Sequence, residues 1–321
     1  MKTIRYLVAD VFTRRPLSGN PCAVITDGDS LTPNEMRGIA SEMNLSETVF
    51  VQTPTALGVD FRFRFFTPKQ EIPFAGHPTI GAVFSLMDPS PLNPEPQEKP
   101  AMDPNIGANE LIAYEMRIEM GAGIFPVTAL VRKGRVERVK MTQGKPEFVQ
   151  VVEDLPLAAK ALGIEQHKVG RPHLPMQVAS TGLPHLFVPV EDLKTMKKIQ
   201  TNSEAIRQLC RLAEVSCLMA FTLDTVDEKS SVHSRMFAPE LGITEDPVTG
   251  SGSGALGAYL VHNWAFGKPE ENETVSIVNE QGYEINRPGK VLIEIDVKSS
   301  QPSLVRIFGE CVIVAAGTLR I

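Results

Sequence analysis

Little in this chain of 321 residues speaks for disulfides, a metal centre or a membrane. Its four cysteines, Cys22, Cys210, Cys217 and Cys311, are scattered and show no CxxC spacing, so neither a disulfide scaffold nor a cysteine-rich zinc site is expected. The six histidines form no HExxH and no close pair, which leaves a metal site without its usual ligand spacing. No basic run of five or more residues occurs and the formal net charge is −6, which argues against nucleic acid or an anionic membrane surface as partner. No apolar stretch approaches the roughly 18 residues of a spanning helix. The opening MKTIRYLVADVF alternates like a strand and meets Asp10 early, so it does not read as a signal peptide. A cytoplasmic globular protein is the expectation, and the length suggests two domains.

What is present is strand. IRYLVADVF (4–12), CAVIT (22–26), TVFVQT (48–53), FRFRFFT (61–67) and a hairpin-like 123–141 with a Lys-Gly turn all read as strands. KVLIEIDVK and LVRIFGECVIVAAG near the end read as a further pair. Helices are fewer. Thr32-Pro33-Asn34-Glu35 is a capping box with proline at the first helical position, opening a helix to about Asn44. An amphipathic helix is expected over 203–215, and two short apolar ones begin after His77 and after Ser251. Residues 88–109 hold six prolines and almost no periodicity, as a surface loop would.

The most informative feature is an internal repeat. Phe66 and Pro68 match Phe237 and Pro239 at an offset of 171, as Phe50 matches Phe221. After a three-residue insertion, Glu71, Pro73 and Gly76 match Glu245, Pro247 and Gly250 at 174. Upstream, Gly19-x-Pro21 echoes Gly182-x-Pro184 at 163. The repeat bears on Gly252, Gly254 and Gly257, which spell GxGxxG. Their partner segment, AGHPTIG, is no nucleotide fingerprint, and no apolar strand leads into the first glycine. A dinucleotide is therefore not expected.

In each copy an extended segment turns at Pro/Gly and starts an apolar helix. Such a helix start presents backbone N–H groups and the positive end of the helix dipole, a setting for a carboxylate. His77 stands at the first helix start, and its counterpart is Ser251. Asp246 precedes the second, where the first copy has Ile72. Glu47 sits before an apolar strand, where desolvation raises a carboxyl toward the range of a general base; its counterpart is Leu218. Each has a plain reading too: a structural histidine, an aspartate capping its helix, a solvated glutamate.

GNPCAVI, NLSETVFV, FFTPKQEIPFAGHPTIGA and EDPVTGSGSGALGAYL, in this order and spacing, resemble the phenazine-biosynthesis PhzF-like family, kin to diaminopimelate epimerase. The resemblance covers nearly the whole chain. It implies a duplicated α/β (α+β) fold, each domain a curved, mostly antiparallel sheet around a central helix. An active site between the domains and a homodimer are also implied. The final strand is expected to return to the first domain, giving 1–118 plus 306–321 and 119–305. Epimerases of this kinship use two cysteines; AGHPTIG and VTGSGSG have none, so two-thiol chemistry is not expected here.

The resemblance instead points to Glu47 as carbon acid and base, with His77, Asp246 and Ser251 contacting substrate or relaying protons. Backbone at Gly76, Gly250, Ser251 and Gly252 would hold the carboxylate of a small-molecule substrate. The expected activity is a metal- and cofactor-independent isomerase. The alternatives are an amino or hydroxy acid epimerase or racemase, or a silent binding protein of the same fold.

Overall fold

The computed structural model describes residues 1–89, 92 and 110–321. The proline-rich segment 88–109 therefore lies outside the described residues except for Asp88, Pro89 and Leu92. In chain order the elements begin with β1 (Thr3–Val11), β2 (Asn20–Ile25), α1 (Pro33–Met43), β3 (Glu47–Gln52), β4 (Phe61–Phe66), β5 (Glu71–Ile72) and α2 (Gly76–Met87). There follow β6 (Ile112–Met120), β7 (Gly123–Arg132), β8 (Arg135–Thr142), β9 (Glu147–Val151), α3 (Leu155–Leu162), β10 (Gln177–Ser180) and β11 (Pro184–Pro189). Next come α4 (Leu193–Met196), α5 (Ser203–Leu212), β12 (Cys217–Thr222), β13 (Val232–Ala238), β14 (Ile243–Asp246) and α6 (Gly250–His262). Strands β15 (Thr274–Gln281), β16 (Gly289–Lys298), β17 (Gln301–Gly309) and β18 (Cys311–Arg320) complete it.

Local chemistry explains these boundaries. In β4, Phe63 and Phe65 are fully buried while Arg62 and Arg64 face outward, the alternation of a half-buried strand. Lys133 and Gly134, both at positive φ, make the two-residue turn joining β7 to β8. Thr32 and Glu35 form the capping box of α1, and Asn44 closes it in the left-handed conformation. The chain groups into two compact units, Met1–Thr142 with Phe308–Ile321, and Gln143–Ile307. Residues 119–142 go with the first, because β6, β7 and β8 form one antiparallel meander. Strand β18 pairs with β1 from Thr3↔Arg320 to Val11↔Cys311.

The internal repeat is a repeat of topology. In the first unit β2–β3 pair parallel, β3–β4 and β4–β5 antiparallel, β4–β6 parallel and β6–β7 antiparallel. In the second, β11–β12, β12–β13, β13–β14, β13–β15 and β15–β16 follow in the same senses. The three-residue insertion falls between Pro239 and Glu245, where the second unit makes a 3₁₀ turn that starts at Pro239. Even a side-chain clamp is duplicated. Arg64 forms a two-pronged pair with Glu71 and lies over Phe66, and Arg235 does the same with Glu245 and Phe237.

At the centre of each unit lies one helix. Every residue of α2 from His77 to Met87 is buried, and so are Gly252 to Val261 of α6. Helices apolar all round belong inside a protein rather than on its surface. The amphipathic helices lie on the other face of each sheet: Met36 and Ile39 of α1 pack with Phe50 and Phe66, and α3 and α5 share a core with Leu186, Leu218 and Phe237. This is the mixed α/β, duplicated architecture expected from the sequence. In the second unit, fully buried His233 of β13 lies between two carboxylates, with Nδ1 2.9 Å from Glu280 and Nε2 3.0 Å from Glu284.

Candidate active site

In the first unit, the parallel pairing of β2 with β3 sets Cys22 beside Glu47, the first residue of β3. The Glu47 side chain is 15% exposed, and its Oε2 lies 3.4 Å from Nε2 of His77, itself 8% exposed. Burial pushes the Glu47 carboxyl up to about 7, only partly offset by a hydrogen bond from Ser46. A carboxyl at that value is half ionised near neutral pH, so it can both take and return a proton there. Cys22, pushed well above the ordinary thiol value by its burial and then by the Glu47 charge, stays a neutral thiol.

His77 reaches this place because it is the second residue of α2, after Gly76. In the second unit, Asp246 ends β14 at 6% exposure, and Gly250, Ser251 and Gly252 form the first turn of α6. The ends of α2 and α6 share a property that the other α-helices lack. Helices α1, α3, α4 and α5 are capped by the side chains of Thr32, Asp154, Asp192 and Asn202. Neither α2 nor α6 has a side-chain cap bond. Asp246 stands three residues before Thr249, the N-cap residue of α6, and its carboxylate accepts a hydrogen bond from the hydroxyl of Thr249. Among the described residues no three His, Cys, Asp or Glu side chains gather as metal ligands.

The three glycines of GxGxxG are explained by packing, with no nucleotide needed. A methyl on Gly252 would come within 2.6 Å of Met219 and 3.1 Å of His185, and one on Gly257 within 2.8 Å of Ile293. On Gly254 it would overlap the amide of Gln143, whose Nε2 donates to the Gly250 carbonyl (3.0 Å) and whose Oε1 accepts from Thr181 (2.6 Å). Gly254→Ala is therefore expected to displace Gln143 and cost about 1–3 kcal/mol for the buried groups left unsatisfied. Chemical denaturation checks this, and an unchanged midpoint would mean that Gln143 swings aside freely.

Sequence reasoning missed His185. It is fully buried in β11, with Nδ1 2.9 Å from the Leu183 carbonyl, and burial pushes its pKa down to about 4. Its neutral Nε2 lies against Gly252 in the first turn of α6 and has no hydrogen-bond partner among the described residues. A signal existed: His185 follows Gly182-x-Pro184 just as Cys22 follows Gly19-x-Pro21.

Comparison with known proteins gives the family. The model of the phenazine biosynthesis-like proteins, PhzC-PhzF, matches residues 9–317. An uncharacterised isomerase of Clostridium acetobutylicum is 34% identical over 95% of this chain and 94% of its own length. The trans-2,3-dihydro-3-hydroxyanthranilate isomerase of Pseudomonas chlororaphis is 30% identical over 98% of both chains. The crystal structure of a PhzF-family protein from Bacillus anthracis superposes with a TM-score of 0.84 at 30% identity, covering 100% of each chain. The chain belongs to the phenazine biosynthesis-like, PhzC-PhzF family of proteins.

Proposed function

We propose that this chain is a cofactor-independent isomerase that moves a proton between carbon atoms of a small carboxylic acid, with Glu47 as the group that carries it. Its family includes named isomerases, which gives the class of the reaction. The observation that carries the mechanism is the buried Glu47 carboxyl held near neutrality beside His77. As carboxylate, Glu47 takes a proton from a carbon whose electrons can delocalise into an adjacent conjugated system. The double bond shifts, and the protonated Glu47 returns the proton to another carbon on the same face. No electrons enter or leave.

His77 and Asp246 hold the amino or hydroxyl groups of the substrate and steady their protons, and Ser251 adds a hydroxyl contact. Its carboxylate is received by the backbone N–H groups at Gly76 and at Gly250, Ser251 and Gly252. The protein works as a homodimer, and a monomer mass at every concentration in light scattering would remove that element.

The test is incubation with trans-2,3-dihydro-3-hydroxyanthranilate, the substrate in the name of the Pseudomonas relatives, in D₂O. Change in ultraviolet absorbance with one deuterium at the receiving carbon is the expected result. Deuterium at a stereocentre with all bonds in place would turn the reading to an epimerase. Failure with this and with other conjugated amino or hydroxy acids would leave a binding protein.

A further inference from the structure

We propose that Gln281 and Thr249 form a one-way hydrogen-bond relay that fixes Asp246 as an acceptor and aims its carboxylate, which makes both of them positioning residues. This rests on the role given to Asp246 above. The direction of the relay follows from donor and acceptor chemistry alone. Gln281, fully buried at the end of β15, accepts the backbone N–H of Thr249 at its Oε1 (3.1 Å). Its Nε2 donates to the backbone carbonyl of Asp246 (2.8 Å) and to Oγ1 of Thr249 (3.1 Å). Turning the amide over would set oxygen against a carbonyl and N–H against N–H, so a single orientation is allowed. Since Thr249 Oγ1 already accepts from Gln281, its only proton is directed to Oδ2 of Asp246.

A purely structural reading of these residues meets one difficulty. Thr249 occupies the N-cap position of α6, where a threonine ordinarily accepts an N–H of its own helix and contributes about 1 kcal/mol. Thr32 does this for α1. Thr249 gives up that bond, leaves its helix without a side-chain cap and spends its hydroxyl on Asp246. Stability alone would favour the opposite use. Holding a carboxylate in one orientation is the kind of constraint that placement of a reacting group demands.

Thr249→Val keeps the shape and deletes the hydroxyl, whereas Thr249→Ser keeps the hydroxyl. The expected result is a kcat lower by about 10- to 100-fold in Thr249→Val with KM little changed, and near wild-type turnover in Thr249→Ser. Independently of any substrate, ¹³C NMR of aspartate-labelled protein, assigned with Asp246→Asn, should show the Asp246 carboxyl titrating at higher pH in Thr249→Val and restored in Thr249→Ser. An unmoved Asp246 titration, or equal damage by valine and serine, overturns the relay. Should Thr249→Val not fold, Thr249→Ala deletes the same hydroxyl and is read in the same way: an Asp246 titration unmoved from that of the wild type overturns the relay. Absence of turnover by the wild type together with a displaced titration would sink the proposed substrate and leave the relay standing.

Discussion

Glu47→Gln is expected to lower kcat/KM by about 10²- to 10⁴-fold, the usual worth of a positioned acid–base group. Glutamine keeps the size and hydrogen-bonding reach of the side chain but cannot carry the proton, so substrate affinity should change far less than turnover. The wild-type pH–rate profile should carry the same signature. Burial puts the Glu47 carboxyl at about 7, so activity should fall about tenfold per pH unit below that value as the carboxylate is lost. A flat profile from pH 5 to 8 would remove Glu47 from the rate-determining proton transfer. Stability should move the opposite way. A carboxyl whose folded pKa lies above its unfolded value weakens folding as pH rises from about 4.5 through 7. Glu47→Gln escapes that penalty, so its Tm should exceed that of the wild type above neutrality and match it in acid. An active-site group that is inactive but stabilising when neutralised is a mark of strain kept for function.

The largest loss of stability is expected from His233→Leu, about 3–5 kcal/mol or roughly 10 °C in Tm. Burial by itself would drive His233 toward its neutral form, yet its hydrogen bonds to Glu280 and Glu284 hold its pKa above the ordinary value. Burial likewise opposes both carboxylates, and the His233 bonds hold them below theirs. Removing the imidazolium leaves two buried negative charges facing one another. The raised histidine contributes fully below about 6.5 and loses its contribution as pH climbs through its folded value. The lowered carboxylates contribute above about 4.3 and lose theirs as pH falls through their folded values. The gap between wild type and variant should thus peak between about pH 4.5 and 6.5. Thermal melts across that range decide the matter, and a gap independent of pH would reduce the triad to packing.

Glu47, His77 and Asp246 stood out as candidates because the repeat exposed them. Each is a chemically capable residue standing where the other half has Leu218, Ser251 or Ile72, so the fold itself does not require it. The order of strands β2 to β4 and the two central helices were legible for similar reasons, through alternation and through small-residue runs at Pro/Gly turns. Strands β10 and β12 were not. Both are buried at every position and therefore lack the alternation that marks a strand with one wet face. Helix α3, short and alanine-rich, carried its signals at its ends, in the Asp154 cap, Pro156 in the first turn and the left-handed Gly163 that closes it. Gln281 and Thr249 were illegible for a different reason. Their roles arise from one strand end meeting one helix cap 32 residues away, and no local pattern encodes that meeting. The proline-rich 88–109 stretch stays outside this comparison.

The pairing of β1 with β18 has a consequence for how the molecule comes into being. Its partners are separated by about 300 residues, while the second unit is one uninterrupted stretch, Gln143–Ile307. A ribosome therefore delivers every residue of the second unit before the last strand of the first. Until Cys311–Arg320 emerges, β1 lacks its outer neighbour along its whole length and presents a bare row of backbone donors and acceptors. The nascent first unit is an open ladder during that interval, able to capture strands from other chains, and closing it is the slow, late step that long-range strand pairing imposes.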